Sequence, residues 1–327
     1  MFDSFIYSCN SVLPIVIFVL FGIFLKKIKF LEGNYCEIAD KLVFNVALPM
    51  KSIESLHKAD LGVIFSEEYL TVGLFFFVMI VAAFILLCIG IVHFLKENPQ
   101  RSVFVQGAVR GNYAIFALPL ASNMFGEEGE LAAVALLPIV IIMYNVLAVI
   151  AFSIFAPTDN EKRTVGQIVW KIAKSTVKNP LIVSIFAGLA LSLLCTEAGV
   201  NMPRFVTETV SKTAALAVPL SLISIGVSFN IATLKNGLGI SFWCMFVKNI
   251  ALPAVSLGIG ILLGFRGIAL GMILLSLGGP TAVSSYIMAK NMHGDGELAS
   301  KILVLSTVSS LGTMFMFIFL LKHFAFI

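Results

Sequence analysis

Ten apolar runs, each close to 20 residues or longer, leave this chain few folds to choose from. They cover about residues 5–25, 37–56, 69–95, 103–124, 129–155, 180–196, 204–229, 238–264, 267–290 and 297–321. A hydrocarbon core of roughly 30 Å needs a helical run of that length to be crossed. In that core every backbone N–H and C=O must find its partner inside the protein, which helices achieve within one segment. Charged residues are only 12% of the 327 positions, about half the share of a soluble domain. An all-α polytopic membrane protein with ten transmembrane helices is therefore expected. The formal net charge of +4 belongs to loop placement in such a chain and points to no nucleic-acid partner.

The fourth run contains what a membrane helix ordinarily avoids. Arg110-Gly111-Asn112-Tyr113 is followed by Leu118-Pro119, so a base, a glycine, an amide and a proline share one span. Gly111 lets the chain leave helical geometry, and Pro119 lacks an amide donor and frees the carbonyl of Ile115. Such a break is tolerated only where protein or a water-filled cavity covers it. Broken helices with polar residues at the break are where transporters place their ligands.

The pattern recurs. Ala121-Ser122-Asn123-Met124-Phe125-Gly126 matches Ala289-Lys290-Asn291-Met292-His293-Gly294, and Gly129-Glu130-Leu131-Ala132 matches Gly296-Glu297-Leu298-Ala299. In the same register Gly111 falls on Gly279 and Asn112 on Pro280. Pro14 and Gly22 are spaced as Pro180 and Gly188 are, and Ala47-Leu48-Pro49 pairs with Ala217-Val218-Pro219. Five spans per half is an odd number, so the second half enters from the opposite side and the repeats are inverted. The expected organisation is a first repeat over 1–156, a cytoplasmic linker with an amphipathic helix over 157–179, and a second repeat over 180–327. The broken helices four and nine then cross at mid-membrane.

Loop charges give the orientation. With the N-terminus outside, inner loops collect Lys26, Lys27, Lys29, Lys41, Lys96, Arg101 and Arg163, while Glu67-Glu68 and Glu127-Glu128 lie outside. Both termini are expected outside a cell membrane, the inner membrane in a bacterium.

The ionisable residues deep in the spans are bases. Arg110 lies beside the first break and Lys248 near the middle of span eight, whereas Glu54, Glu208 and Glu297 sit near span ends. Two bases and half-helix N-termini favour an anion over a metal cation. Candidate binding residues are Arg110, Gly111, Asn112, Tyr113 and Pro119 at the first break. Gly279, Pro280, Thr281, Ser284 and Ser285 are their counterparts at the second. Lys248 is a further source of anion attraction or a structural residue within the bundle. His57, His93, His293 and His323 lie at span ends or in loops, and no His is placed as base for a Ser. No metal set and no enzyme is expected. The five cysteines are scattered singly and form no metal or disulfide framework.

At Arg110-Gly111-Asn112 with Leu118-Pro119, and again from Pro280 to Ala289 and from Gly296-Glu297-Leu298-Ala299 to Leu305-Ser306-Thr307, the chain resembles the auxin efflux carrier family. That family includes bacterial malate and malonate permeases and the plant auxin exporters. The resemblance covers the full length. It implies a fold like that of bile-acid sodium symporters, with spans 1, 2, 6 and 7 as a dimerising scaffold. Spans 3–5 and 8–10 would be a mobile transport domain that works as an elevator. It also implies a site at the crossover, at Asn112, Pro119 and Pro280. Many bacterial relatives carry Asn where Ser284 stands, and plant relatives carry Pro where Ser285 stands. A small carboxylate such as malate or malonate is therefore preferred over a rigid indole. No cofactor is expected; coupling to sodium or protons stays open. The alternatives are a sodium-coupled anion symporter of the bile-acid type and a membrane-embedded sensor or binding subunit.

Overall fold

A computed structural model describes residues 1–31, 35–57, 67–155, 180–197, 202–228 and 238–327, together with Gly166 and Trp170. Apart from those two residues, the expected linker helix over 157–179 lies outside the described residues. The first half holds α1 (Phe2–Lys27), α2 (Tyr35–Leu42), α3 (Leu48–His57), α4 (Glu67–Phe94), α5 (Asn98–Val109) and α6 (Leu118–Ile154). The second holds α7 (Pro180–Glu197), α8 (Arg204–Ala214), α9 (Ala217–Ser228) and α10 (Gly239–Phe246). It continues with α11 (Leu252–Leu262), α12 (Gly267–Gly278), α13 (Val283–Asn291) and α14 (Gly296–His323). Among the described residues there is no named strand; one isolated antiparallel bridge joins Gly111 to Thr281.

Among the described residues, six helical stretches are long and apolar enough to cross a membrane: Phe2–Lys27, Glu67–Phe94, Tyr113–Ile154, Arg204–Ser228, Gly239–Leu262 and Gly296–His323. Pro180–Cys195 and Gly267–Gly278 are shorter apolar helices. Runs 103–124 and 129–155, read from the sequence as separate spans, meet within α6 as two helical pieces on either side of a kink. The join is at Gly126, whose φ of 64° and ψ of −144° turn the chain. The positive φ is what calls for glycine at that point.

Prolines act differently from expectation. Val43–Ala47, Tyr113–Ala117 and Val247–Ala251 are π-helical, and each runs straight into a Leu-Pro pair at Pro49, Pro119 or Pro253. A proline ring collides with the carbonyl four residues back, and widening the helix to five-residue bonds moves that carbonyl aside. The Leu48 amide accordingly donates to the Val43 carbonyl and the Leu252 amide to the Val247 carbonyl. Pro119 therefore widens its helix without breaking it. The break lies earlier, at Arg110–Asn112.

The packing falls into two groups. α1 lies on α9, and α3 lies on α7 and α8. Of the others, α2 also lies on α9, while α4, α5 and α6 pack on one another, α11 and α6 on α12, α14 on α10 and α5, and α13 on α14. α1 meets the second group through α14 and α6. The α1–α9 crossing is glycine on glycine: a Cβ on Gly22 would lie 2.3 Å from the Ile223 carbonyl oxygen, and one on Gly226 only 2.1 Å from that of Val19. At the α7–α3 crossing a Cβ on Gly188 would lie 2.9 Å from the Leu56 Cβ. The shift that carries Pro14 to Pro180 carries Gly22 to Gly188, and the shift that carries Pro49 to Pro219 carries Leu56 to Gly226. The two crossings thus use repeat-equivalent positions.

Candidate functional site

Where α5 and α12 end, the chain straightens. Arg110 closes α5 with φ −79° and ψ 113°, and Gly279 closes α12 with φ −61° and ψ 157°. The two extended pieces pass antiparallel, bridged at Gly111 and Thr281, with the Asn112 amide donating to the Pro280 carbonyl at 2.7 Å. Thr281 is pinned on both sides: its amide donates to Ser306 Oγ at 3.1 Å, and its hydroxyl donates to the Gly107 carbonyl at 2.9 Å. Gly111 has no room for a side chain, since a Cβ would lie 2.8 Å from Tyr144 Oη and 3.2 Å from Lys248 Nζ.

Helix ends leave carbonyls at one pole and amides at the other. At this crossing several last-turn carbonyls of both half-helices have partners. Gly107 receives Thr281, Val109 and Leu277 receive Lys248 Nζ at 3.3 and 3.1 Å, and Ser276 receives the Tyr144 hydroxyl. The amide poles are different. Neither the helix that begins at Tyr113 nor α13 has a side-chain cap. Four of these carbonyls are therefore engaged, whereas the two half-helix amide poles lack side-chain caps.

Two cavities meet at Asn112. The smaller, about 140 Å³, is lined by Arg110, Gly111, Asn112, Tyr113, Tyr144, Asn145 and Ser284, among others. The larger, about 780 Å³, reaches from Asn112 and Tyr286 past Asn45 and Thr307 to Asp40, Lys41 and Cys36. Asn112 is only 7% exposed, and its side-chain amide makes no hydrogen bond among the described residues. Arg110 donates to Asn145 Oδ1 at 2.9 Å and lies against the Met288 sulfur at 2.6 Å. Among the described residues neither Arg110 nor Lys248 forms an ion pair.

The other end of the α2–α3 column is tied shut. Glu130 of α6 takes Lys51 Nζ at 2.8 Å and the Ser55 hydroxyl at 2.5 Å. Nearby, the Tyr7 hydroxyl donates to the Met124 carbonyl at 2.6 Å and Asn123 Nδ2 to that of Ser11 at 3.0 Å. The cleft is open at one end and the helices are clasped at the other.

A family model described as membrane transport protein matches residues 7–318. The chain belongs to this family, that of the auxin efflux carriers. Among similar proteins, an uncharacterized transporter of Methanothermobacter thermautotrophicus is 23% identical over 308 residues, covering 94% of this chain and 96% of that protein. A second, from Methanocaldococcus jannaschii, is 23% identical over 308 residues, covering 92% of this chain and 95% of its own length. A probable auxin efflux carrier component of Oryza sativa subsp. japonica is 24% identical over 173 residues, which is 51% of this chain and 41% of the plant protein.

In this auxin efflux carrier homologue Arg110, Gly111, Asn112, Tyr113 and Ser284 come together on one cavity. The Tyr113 hydroxyl is engaged by the Ala133 carbonyl at 3.0 Å, so only the rest of the residue is available. Gly279, Pro280 and Thr281 form the opposing strand of the bridge and do not line either cavity. Pro119 and Ser285 lie off both cavities, and the Ser285 hydroxyl is buried without a partner. Lys248, read as either a source of anion attraction or a structural residue within the bundle, is fully buried on carbonyls and lines neither cavity. Asn145 and Tyr144 were not among the candidates read from the sequence. The signal for both was a tyrosine-asparagine pair inside an otherwise apolar run.

Proposed function

We propose that this protein is a secondary transporter for a small organic anion, whose carboxylate binds at the crossing of the fourth and ninth spans, where α5 and α12 end. The observation that carries the reading is the unpartnered Asn112 amide between two uncapped half-helix amide poles. An anion finds donors there, whereas a bare cation finds neighbouring carbonyls already bonded. Arg110, steered by Asn145, supplies charge beside the amide, and Ser284 supplies a hydroxyl. A cavity near 140 Å³ is small for a drug-sized ligand, whose pockets run to about 300 Å³ and above. The small cavity suits the carboxylate end of a malate- or malonate-like acid, and the 780 Å³ cavity that meets it at Asn112 has room for a longer ligand.

The transport cycle in this reading is an elevator in ten spans. The α1–α9 and α3–α7 crossings, at repeat-equivalent positions, support an inverted scaffold, and the separate packing of the remaining helices supports a mobile unit. By the loop charges, the clasped end faces outside and the open cleft faces the cytoplasm.

Uptake of labelled malate, malonate, succinate and indole-acetate into proteoliposomes, with and without sodium or proton gradients, tests the function. A small dicarboxylate is expected to enter, and failure of every carboxylate would overturn the reading. Arg110→Ala is expected to weaken apparent affinity about tenfold and also to lower thermal stability, because Asn145 loses its partner. A variant that keeps wild-type affinity would remove Arg110 from the site.

The clasp gives a second test. A charge-assisted hydrogen bond contributes about 1.5–3 kcal/mol, enough to shift a two-state population about tenfold or more. In a protein with Cys36 as its single cysteine, Glu130→Ala is expected to slow maleimide modification of Cys36, because the open cleft becomes less populated. Unchanged labelling would show that the clasp does not hold this state.

A further inference from the structure

The approach to the anion site carries a charge of the opposing sign. Asp40, half-buried on α2, lines the larger cavity. Its Oδ1 accepts from the Ser224 hydroxyl of α9 at 2.6 Å. Among the described residues Oδ2 has no hydrogen-bond partner, and Asp40 forms no ion pair. The base next to it in sequence, Lys41, turns to Glu37 at 2.6 Å. Asp40 is thus fixed by one oxygen and open at the other.

None of the bases around Asp40 pairs with it. Tyr35, Cys36, Glu37 and Lys41 share its helix, and α9, packed on α2, carries no titratable residue. Lys26, in the last turn of α1, is within electrostatic range of Cys36. Across the cleft α14 presents Ser300, Leu303, Val304 and Thr307, while the neighbouring Lys301 holds Glu297 at 2.7 Å. From α13 comes Tyr286, with the Lys290 ammonium over its ring at 4.7 Å from the centroid.

Phe44 lines both cavities together with Asn112, and Asp40 stands one turn before it. One turn of helix rises roughly 6 Å, an interval that a chain of a few carbons spans. A short acid held at Asn112 by one carboxylate therefore brings its far end to Asp40. Two facing carboxylates in a partly buried cleft repel, and the pair settles by holding one proton between them. A donor at the far end gains a charge-assisted hydrogen bond instead.

We propose that Asp40 sets specificity at the far end of the cargo, accepting a hydrogen-bond donor there and rejecting a second negative charge, so that a dicarboxylate is carried as its singly protonated anion. The proton lies between the far carboxyl and Asp40 Oδ2, while the near carboxylate stays ionised at Asn112. In the elevator reading α2 stays with the frame, so the proton leaves on the cargo and Asp40 is ionised again. The proposal rests on the anion-transport reading and adds to it the charge state of the cargo and a source of proton coupling.

The test is binding, read as the saturable rise in unfolding temperature of purified protein in detergent with malonate or with malonamate, its monoamide. Malonamate keeps one carboxylate and replaces the other by an amide that donates without taking up a proton. Between about pH 6.5 and 8.5, above the second ionisation of malonic acid, wild-type affinity for malonate is expected to fall about tenfold per pH unit, because one proton is taken up with each anion. Malonamate should bind with constant affinity over that range and more tightly than malonate at its upper end. Asp40→Asn can still accept from Ser224 and can donate into the cleft. It is expected to lose the pH dependence for malonate and to prefer malonate over malonamate.

A wild-type affinity for malonate that does not change with pH would overturn the proposal, and so would a slope shared equally by malonamate, which would put the proton elsewhere on the protein. Neither result needs a variant, so the wild-type series decides the matter if Asp40→Asn does not fold. A folded Asp40→Asn that keeps the wild-type slope would also overturn it. In proteoliposomes an inward proton gradient should speed uptake of malonate and leave that of malonamate unchanged; equal acceleration of both would count against Asp40. A response to neither anion at any pH would remove the anion reading and this proposal with it, whereas pH-independent malonate binding removes this proposal alone.

Discussion

Asn112→Ala is expected to weaken apparent affinity for a transported carboxylate by about ten- to a hundredfold while leaving thermal stability close to wild type. Hydrogen bonds to a charged group contribute about 1.5–3 kcal/mol, and each 1.4 kcal/mol is about tenfold in affinity. The separation of the two readouts is the substance of the prediction. The backbone amide of Asn112 holds the crossing through Pro280, and alanine keeps that bond. The side chain has no hydrogen-bond partner to lose and faces both cavities. A structural asparagine would behave in the opposite way, lowering the unfolding temperature and leaving apparent affinity unchanged. That outcome would place the anion elsewhere.

The crossing itself was legible because the residues that make it are conspicuous by type. Gly111, Asn112, Gly279 and Pro280 are poor occupants of an apolar helix, and the repeat makes Gly111 equivalent to Gly279 and Asn112 to Pro280. The antiparallel bridge that forms is centred on the equivalent pair Asn112 and Pro280, with Gly111 facing Thr281. Pro119 was misjudged for a physical reason: a proline forces a local adjustment, but a π turn can supply it without a break.

What could not be read is the capping of the carbonyl poles. Lys248 joins Val109 to Leu277, and Tyr144 reaches Ser276, across separations of 29 to 139 residues. Nothing local in Lys248-Asn249-Ile250 distinguishes a lysine that holds helix ends from one that attracts a ligand. The distinction decides the sign of the site, because it is the prior engagement of the acceptors that leaves the donors for an anion. The lower cleft escaped notice similarly. Asp40 and Lys41 lie near the start of a span, where charges ordinarily mark the interface, yet here they line the approach to Asn112.

The second large effect is expected at the α1–α9 crossing. Gly226→Ala would place a methyl group 2.1 Å from the Val19 carbonyl oxygen and 2.9 Å from the Gly22 Cα, so the obstruction is backbone and cannot rotate away. Small residues let membrane helices approach this closely, and overpacking a core costs about 1–3 kcal/mol even where side chains can adjust. A loss of about 3 kcal/mol or more is therefore expected for Gly226→Ala, and a similar loss for Gly22→Ala, read as a drop in unfolding temperature in detergent. Gly188→Ala should cost less, because its nearest obstacle, the Leu56 Cβ, lies at 2.9 Å and not at 2.1 Å. Gly312→Ala, with no atom within 4 Å of the new methyl, is the control that should be silent. If Gly226→Ala unfolds with Gly312→Ala, the two helices do not meet as described. The functional corollary separates scaffold from site. Should α1 and α9 form a static frame, the folded fraction of Gly226→Ala must keep wild-type apparent affinity, since no residue at that crossing except those beside the cleft approaches Asn112. A shift in affinity would mean that the frame moves with the cargo, and the elevator division of this chain would have to be redrawn.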